Sequence, residues 1–464
     1  MYRQLNALAL PLAVTHVCRR WRSVALDHAH LWTKVFWDAG DSVEAALAFL
    51  ERSRNAPLTV NMAFETSRMS SDGLSVFGAV SAQFCRVTKL SIRMSRELIE
   101  NPAISTLFAI GPTPLLIPGL RDLSIEVLGT HSSQDWPRLN IASPSLTHLY
   151  LGWVLPLSWG SVLSPSTTHV TLRSLVIQCG DLQQVLELAP NLHTLRMVLL
   201  HVVADTVKSP GMNLPSSSAG SARTVDSLQL HYVTGESLGF VQHVIPITTQ
   251  IREVIVGTSF VNTPADVAFD FLHISDLSNI TSLRLLPGDF SVSTASGLAR
   301  AVQGDLTEEL LERLYSLCST QPILSTLREA SVCISQWDTL LGLVFDSDVG
   351  NTLPSLERIV LSVGQDRFRF DEMSVGYDGL RIFLPRWTTL EVIADGGRPP
   401  TIDLVRYTIR ALDCLQPTPL TSIHVEFSNR NTGEDDWDSE DDYATIFSEL
   451  YHAETAHAGL GVSD

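Results

Sequence analysis

The sequence has few positive charges, few cysteines and no long apolar run. Lysine and arginine number 32 against 50 acidic residues, so the net charge is −18 and neither a nucleic acid nor a membrane is expected as a partner. The 6 cysteines form no Cys-x-x-Cys pair, which predicts reduced, mostly buried thiols. No apolar run reaches the ~18 residues of a transmembrane helix. We expect a cytoplasmic or nuclear protein.

Signatures of catalysis and metal binding are also missing. The chain has no Gly-x-x-x-x-Gly-Lys-Ser/Thr loop, no His-Glu-x-x-His and no Gly-x-Ser-x-Gly. His28 and His30 flank Ala29, but no third ligand stands at a known spacing, so a surface loop is favoured over a metal site. We therefore predict no catalytic residue, no metal, no cofactor and no enzymatic activity.

Apolar residues make up 45% of the chain and charged residues 18%, which is typical of a globular protein with a sizeable core. The most informative segment is 11–35, PLAVTHVCRRWRSVALDHAHLWTKV. Val14, Val17, Trp21 and Val24 recur at helical spacing, while Arg19, Arg20 and Arg22 suit the opposite, hydrated face. Trp32 follows on a second short apolar group. Two tryptophans on two short helices indicate either a very small core or a docking surface.

The segment 41–55 is predicted to be a further helix. Asp41 stands at its cap, Glu44 follows three residues later, and Val43, Ala46, Leu47 and Leu50 share one face. The chain then continues into LERSRNAPLTV at 50–60.

These residues carry a resemblance to a known family. V-C-R-R-W-R, followed ten residues later by L-W-T and then by the junction phrase at 50–60, resembles the second half of the F-box in the large fungal set of F-box proteins with leucine-rich repeats. An F-box normally opens with a helix of the form L-P-x-E, which MYRQLNALAL does not supply. The resemblance therefore implies a box truncated at its N-terminus.

The resemblance implies a ligase adaptor protein as partner, bound more weakly if the box lacks its first helix. We expect Leu12, Val14, Val17 and Leu31 on the exposed side and Trp21 in the interior. The adaptor-binding residues implied in this way are Leu12, Val14, Val17, Trp21, Leu31 and Trp32.

After residue 57 the phrase apolar-x-x-apolar-x-apolar keeps returning. Strict copies begin at Leu120, Leu146, Leu172 and Leu192, and a Pro-x pair precedes the first, second and fourth of them. In a leucine-rich repeat this phrase is a strand whose alternate residues enter the core. Looser copies begin at Val87, Val225, Ile251, Ile280, Leu327, Leu356, Trp387 and Leu420.

The interval from Ile280 to Leu327 is too long for one repeat and is long enough to hide a degenerate one. The alternative to a repeat array is a mixed α/β domain with ordinary strands. We predict an α/β fold with a short helical F-box remnant over 1–56, a curved leucine-rich-repeat-like solenoid over 57–430, and an acidic segment with a C-terminal helix over 431–464. The acidic segment holds EDDWDSEDD at 434–442, which favours a solvated surface.

If the repeats bind a client protein, outward strand positions that alternate with the core leucines are the candidate contacts. They are Arg93, Glu126, Tyr150, Gln178, Arg196, His231, Arg284, Glu391 and His424, with Ser91, Gln229 and Glu426 beside them. The resemblance implies the substrate receptor of an SCF-type cullin ubiquitin ligase, in which the box holds the adaptor and the repeats hold the client. The alternative is a protein-binding repeat scaffold that works without a ligase.

Overall fold

The computed structural model resolves the chain into two compact units, Met1–Pro246 and Ile247–Asp464. Each unit combines helices with a mostly parallel ladder of strands, so the predicted α/β class is confirmed. The residues that the structure describes are 13, 15–38, 41–64, 71–108, 113–129, 136–203, 225–245, 251–258, 265–304, 308–320, 323–345, 352–363, 381–395, 415–417 and 422–428.

In the first unit, eight main strands lie side by side in the order of the chain, and each pairs in parallel with the next. Parallel neighbours that follow one another in sequence need a crossing segment between them. The main strands are β1 (Lys34–Trp37), β2 (Leu58–Phe64), β3 (Val87–Ser95), β4 (Asp122–Leu128), β5 (His148–Gly152), β6 (His169–Arg173), β7 (Thr194–Val198) and β8 (Ser227–His231).

The segments between the main strands of this unit carry helices or short parallel strand pairs. Helical residues precede the first strand at 13 and 15–17. The helices that follow are α1 (Arg19–Asp27), α2 (Val43–Arg52), α3 (Ser71–Ser81), α4 (Trp159–Val162), α5 (Cys179–Leu188) and α6 (Gly235–Val244). Single 3₁₀ turns span Ala29–Trp32, Phe84–Arg86, Arg96–Glu100 and Ser105–Leu107. The short strand pairs are Leu115–Leu116 with Ile141–Ala142, Arg138–Leu139 with Leu155–Pro156, and Val176–Gln178 with His201–Val203.

The core of the first unit is built from the recurring apolar phrase. The predicted core pairs on β4, β5 and β7 are all at most 2% exposed, which confirms their orientation: Leu123 and Ile125, Leu149 and Leu151, Leu195 and Met197. Alternate strand residues point to opposite faces. Each buried leucine contributes about 1.5–3 kcal/mol relative to an exposed one, so the phrase stabilises the ladder and selects its register.

The strand predicted from the third strict copy, which begins at Leu172, is in the wrong place. Leu175 and Ile177 do not lie on a main strand; β6 instead buries Val170 and Leu172. The first position of this copy is Thr167, which is fully buried. Its hydroxyl donates to the carbonyl of Leu146 at 3.1 Å and accepts from the N–H of Ser164 at 3.1 Å. A buried threonine with both hydrogen bonds made replaces leucine here, and an apolar pattern cannot detect it.

One turn recurs after four successive main strands. Trp153, Ser174, Leu199 and Tyr232 each follow the last strand residue and have φ of 60°, 54°, 52° and 56°. The N–H groups of the first three donate to the carbonyls of Arg173, Val198 and His231 at 3.0, 2.8 and 2.8 Å. A left-handed conformation costs a non-glycine residue about 1–2 kcal/mol. The hydrogen bond to the neighbouring strand offsets that cost, and the same backbone path therefore recurs.

In the second unit the ladder runs in the order β9-β12-β11-β10-β13-β14-β15-β16. β11 pairs antiparallel with β10 and with β12, while the other pairs are parallel. The strands are β9 (Glu253–Gly257), β10 (Ile280–Leu286), β11 (Asp289–Thr294), β12 (Ala299–Gln303), β13 (Glu329–Cys333), β14 (Arg358–Val363), β15 (Thr389–Asp395) and β16 (Ser422–Ser428).

The long interval after Ile280 therefore holds an antiparallel meander instead of a degenerate repeat. β10, β11 and β12 run back and forth, and β12 occupies the place beside β9. The helices of this unit are α7 (Ala265–Phe271), α8 (Glu308–Thr320), α9 (Ile323–Thr326) and α10 (Trp337–Phe345). Its 3₁₀ turns are Ile274–Asp276 and Ile334–Gln336, and Ile382–Leu384 pairs with Leu415–Pro417.

No helix among the described residues has the length and apolarity needed to cross a bilayer.

Five cysteines are described as free thiols, but only Cys318 and Cys333 are buried, whereas Cys18 and Cys85 are exposed. The expectation of mostly buried cysteines was wrong for this part of the chain, because Cys18 caps the exposed helix α1.

We predict that Leu149→Asp unfolds the first unit. Leu149 lies in the middle of the ladder and is 2% exposed, and an unpaired carboxylate buried there costs several kcal/mol. Ser124→Asp on the neighbouring strand is the control, because Ser124 is an outward, half-buried position. Circular dichroism against temperature should show a lost or strongly lowered transition for Leu149→Asp alone. Equal transitions for both variants would contradict the assigned register.

Candidate protein-binding surfaces

Helix α1, together with Val17 just before its extended N-cap Cys18, presents apolar side chains to solvent, which we call the exposed stripe. Val17, Trp21 and Val24, spaced by four and three residues, are 68%, 55% and 56% exposed. Ala25 is the buried residue of this helix. The expectation that Trp21 lies in the interior was wrong, because α1 packs through its small side chain and turns the indole outward. Of the three, Trp21 and Val24 stand at helical spacing within α1, whereas the extended backbone of Cys18 separates Val17 from them. Neighbouring exposed apolar groups of this size make a candidate docking surface.

In contrast to the exposed Trp21, Trp32 is buried. Trp32 is 0% exposed, and its Nε1–H donates to the carbonyl of Ala25 at 2.8 Å. Its ring meets Phe49 edge-on at 5.0 Å, and the Arg52 guanidinium lies 4.7 Å from the ring centroid. Trp32 thus joins α1 to α2, and it supports the stripe without being part of its surface.

Two of the four remaining predicted adaptor residues are described by the structure. Val17 belongs to the stripe, and Leu31 is half-buried beside Trp32. Leu12 and Val14 lie outside the described residues. The helix itself is anchored by the Cys18 sulfur, which accepts from the N–H of Trp21 at 3.5 Å, and by Arg22, whose Nε–H donates to the Thr15 carbonyl at 2.8 Å.

A second surface is formed by the side chains of β3–β8 that point away from the core; we call it the polar strand face. The parallel register aligns them in rows that run across the strands. One row is Lys89, Asp122, His148, His169, Thr194 and Ser227; the middle row is Ser91, Ser124, Tyr150, Thr171, Arg196 and Gln229; the last row is Arg93, Glu126, Gly152, Arg173, Val198 and His231.

The last row carries a charged cluster centred on Glu126. Arg93 Nε lies 3.5 Å from one carboxylate oxygen and Arg173 Nη1 3.2 Å from the other. The Tyr150 hydroxyl donates to Glu126 at 3.4 Å and accepts from Arg173 Nη1 at 3.4 Å. The hydrogen bond to Tyr150 is the main cause that raises the pKa of Arg173.

Glycine at position 152 allows this cluster to form. Arg173 lies two strands away from Glu126, with β5 between them. A Cβ at Gly152 would stand 3.2 Å from Cγ of Glu126 and 3.4 Å from Cε1 of Tyr150. Because this strand position has no side chain, the guanidinium and the carboxylate meet above the backbone.

The first row continues into a line of histidines with a carboxylate at each end. Asp122 lies 2.7 Å from His148 Nδ1, and Asp226 lies 2.7 Å from His193 Nδ1. The rings of His148 and His169 stack with centroids 4.6 Å apart. Partial burial lowers the pKa of His169, and the charges of His148 and His193 lower it further.

Arg196 and His231 lie on the polar strand face as expected, but Gln178 does not. Burial, then the charge of Arg196, lowers the pKa of His231. Gln178 precedes α5, and its backbone N–H donates to Asp181 at 3.2 Å. It was assigned outward through the misplaced third copy of the phrase. The outward residues of that strand are His169, Thr171 and Arg173.

In the second unit the predicted client residues form separate ion pairs. Arg284 Nε lies 3.2 Å from Asp289. Arg358 bridges Glu329 at 3.3 Å and Glu391, and the hydrogen bond to Glu391 is the largest cause that raises the pKa of Arg358. The side chains of His424 and Glu426 lie outside the described part of the chain, although β16 pairs with β15.

Arg173, Gly152 and the histidine line were missed by the sequence reasoning. The available signal was the alternation in Thr167–Arg173, which becomes visible once threonine is accepted at the first core position.

Among the described residues no group of three histidine, cysteine or acidic side chains has the geometry of a metal site. A comparison with protein-family models gives no match, and neither does a comparison with curated proteins.

We predict that His169 makes the stability of the protein fall as the solution is acidified. Its pKa in the folded protein lies below the ordinary value of 6.5, so below pH 6.5 the unfolded chain binds this proton more readily than the folded one. The free energy of unfolding therefore decreases as the pH drops below that value.

Urea unfolding of the wild type and of His169→Asn between pH 7.5 and about pH 5 tests this, because the contribution spans the pH range below the unfolded pKa. The loss of stability on acidification should be smaller in the variant. His243→Asn, on an exposed position of α6, is the control and should follow the wild type. If His169→Asn loses stability as steeply as the wild type, the histidine line has no energetic role.

Proposed function

We propose that this protein is the substrate-receptor subunit of an SCF-type cullin ubiquitin ligase. The observation that carries the proposal is the exposed stripe, Trp21 and Val24 on α1 with Val17 just before it, in the segment that resembles part of an F-box. In this role the protein is a scaffold and not a catalyst: α1 holds the adaptor, and the strand ladder holds a client. Its free thiols suit the cytosol or the nucleus, where we place this activity.

The α1 stripe has the composition and support of a docking site. A tryptophan can bury about 150–250 Å² in an interface, and arginines 19, 20 and 22 provide a polar rim around the apolar centre. Trp32, fixed against Ala25, Phe49 and Arg52, sets the orientation of the helix. The surface is therefore preorganised, which lowers the entropic cost of binding.

The ladder supports the second half of the proposal. We propose that the main strands with their recurring left-handed turn form a curved leucine-rich-repeat-like solenoid. The polar strand face would be its client-binding side, because it carries charged groups whose ion pairs hold them in fixed positions. A ligase-independent binding scaffold is the alternative, favoured by the fact that this face is built by β3–β8 without any residue of α1.

The test is co-purification with the cullin adaptor protein. We expect the full chain to bind the adaptor weakly and Trp21→Arg to bind it at least about 30-fold more weakly still, because hot-spot residues contribute about 2 kcal/mol or more. Trp21 is exposed, so the variant should keep the thermal unfolding midpoint of the wild type. Leu157→Arg is the matched control, since Leu157 is an equally exposed apolar residue of the same unit.

Two outcomes would contradict the proposal at different points. If Trp21→Arg and Leu157→Arg retain the adaptor equally well, the stripe is not the adaptor surface. If the wild-type chain has no measurable affinity for the adaptor at any concentration tested, the receptor role is wrong and the free-standing scaffold is favoured.

A further inference from the structure

The polar strand face carries an excess of positive charge in an otherwise acidic protein. Its outward positions on β3–β8 hold four cations, Lys89, Arg93, Arg173 and Arg196, against two carboxylates, Asp122 and Glu126. The whole chain has a net charge of −18. The sign of the local charge is thus opposite to that of the molecule, and such a reversal attracts anionic groups to one face.

Two of these cations are not paired with any residue that the structure describes. Lys89 and Arg196 are exposed, and neither makes an ion pair or a side-chain hydrogen bond with the part of the chain that the structure describes. Arg93 and Arg173 both form ion pairs with the carboxylate of Glu126. The positive charge of Arg196 also reaches His231 and lowers its pKa, although burial is the larger cause.

The arrangement favours separate anionic groups over a continuous phosphate backbone. Asp122 and Glu126 lie between Lys89 or Arg93 on β3 and Arg173 on β6, and Asp226 lies beside β8. A nucleic acid would bring phosphates close to these carboxylates at a regular spacing, whereas a peptide can place its acidic side chains over the cations alone.

We propose that the polar strand face binds an extended segment of a client protein that is rich in aspartate and glutamate. Resting on the proposed function, this assignment adds the chemistry of the client. Arg196 and Lys89 supply charges that no described residue pairs, while Arg173 and Arg93 are held in place by Glu126 and, for Arg173, also by Tyr150. Guanidinium groups whose geometry is already fixed lose little entropy on binding a carboxylate.

The experiment uses the full-length protein and two fluorescein-labelled peptides of twelve residues, one of alternating glutamate and serine and one of alternating glutamine and serine. Fluorescence anisotropy should show binding of the acidic peptide that weakens with added salt and at least tenfold weaker binding of the neutral peptide. Arg196→Glu should reduce the affinity for the acidic peptide at least tenfold. Arg138→Glu, the same charge change at an exposed residue outside the polar strand face, should reduce it less than threefold.

Four results would overturn the proposal. Two concern specificity: equal binding of the two peptides, or equal losses of affinity in Arg196→Glu and Arg138→Glu. The third is tighter binding of a twelve-nucleotide single strand than of the acidic peptide, and the fourth is at least tenfold tighter peptide binding after the acids of 434–442 are replaced by their amides. The last result would identify the chain's own acidic segment as the occupant. The adaptor assay is independent of all four. Retained adaptor without peptide binding refutes only the client chemistry, and peptide binding without adaptor refutes only the receptor role.

Discussion

The register of the parallel ladder is the constraint on which the other features depend. Each main strand of the first unit places its buried pair level with the pair of the next strand, as Leu149 does with Val170 and Val170 with Leu195. A slip by one residue would turn every buried side chain outward, at about 1.5–3 kcal/mol for each. The same hydrogen bonds that protect the core therefore fix the positions of all outward side chains.

The polar strand face is a direct consequence of that register. Neighbouring strands lie about 4.8 Å apart, so equivalent positions form rows in which the charged groups of different strands come into contact. Glu126 and Arg173 are 47 residues apart in sequence, yet they form an ion pair because Gly152 leaves the intervening strand bare. The histidine line arises in the same way. α1 differs from this pattern: its exposed stripe depends on one buried tryptophan, Trp32, and not on the ladder.

The sequence predicted the elements whose signal is apolar and local. Leu123, Leu149 and Leu195 were assigned correctly because leucine at period two is sufficient evidence for a buried strand face. The strand predicted from Leu172 lies too far along the chain, because Thr167 is buried through hydrogen bonds and an apolar pattern does not recognise it as a core position. Gln178 was assigned to the wrong surface for the same reason. The meander of β10–β12 and the outward position of Trp21 depend on tertiary packing, which the order of residues along the chain does not encode locally.

The register at β6 can be measured by cross-linking of engineered cysteines in a background that lacks Cys18 and Cys85. The structure pairs Tyr150 with Thr171 across β5 and β6, whereas the spacing of the leucine phrase alone would pair Tyr150 with Val176. A short bifunctional thiol reagent should therefore link Tyr150→Cys to Thr171→Cys rapidly, and Tyr150→Cys to Val176→Cys much more slowly, with mass spectrometry identifying the linked peptides. Faster linkage of the 150–176 pair would contradict the ladder register, and with it the polar strand face.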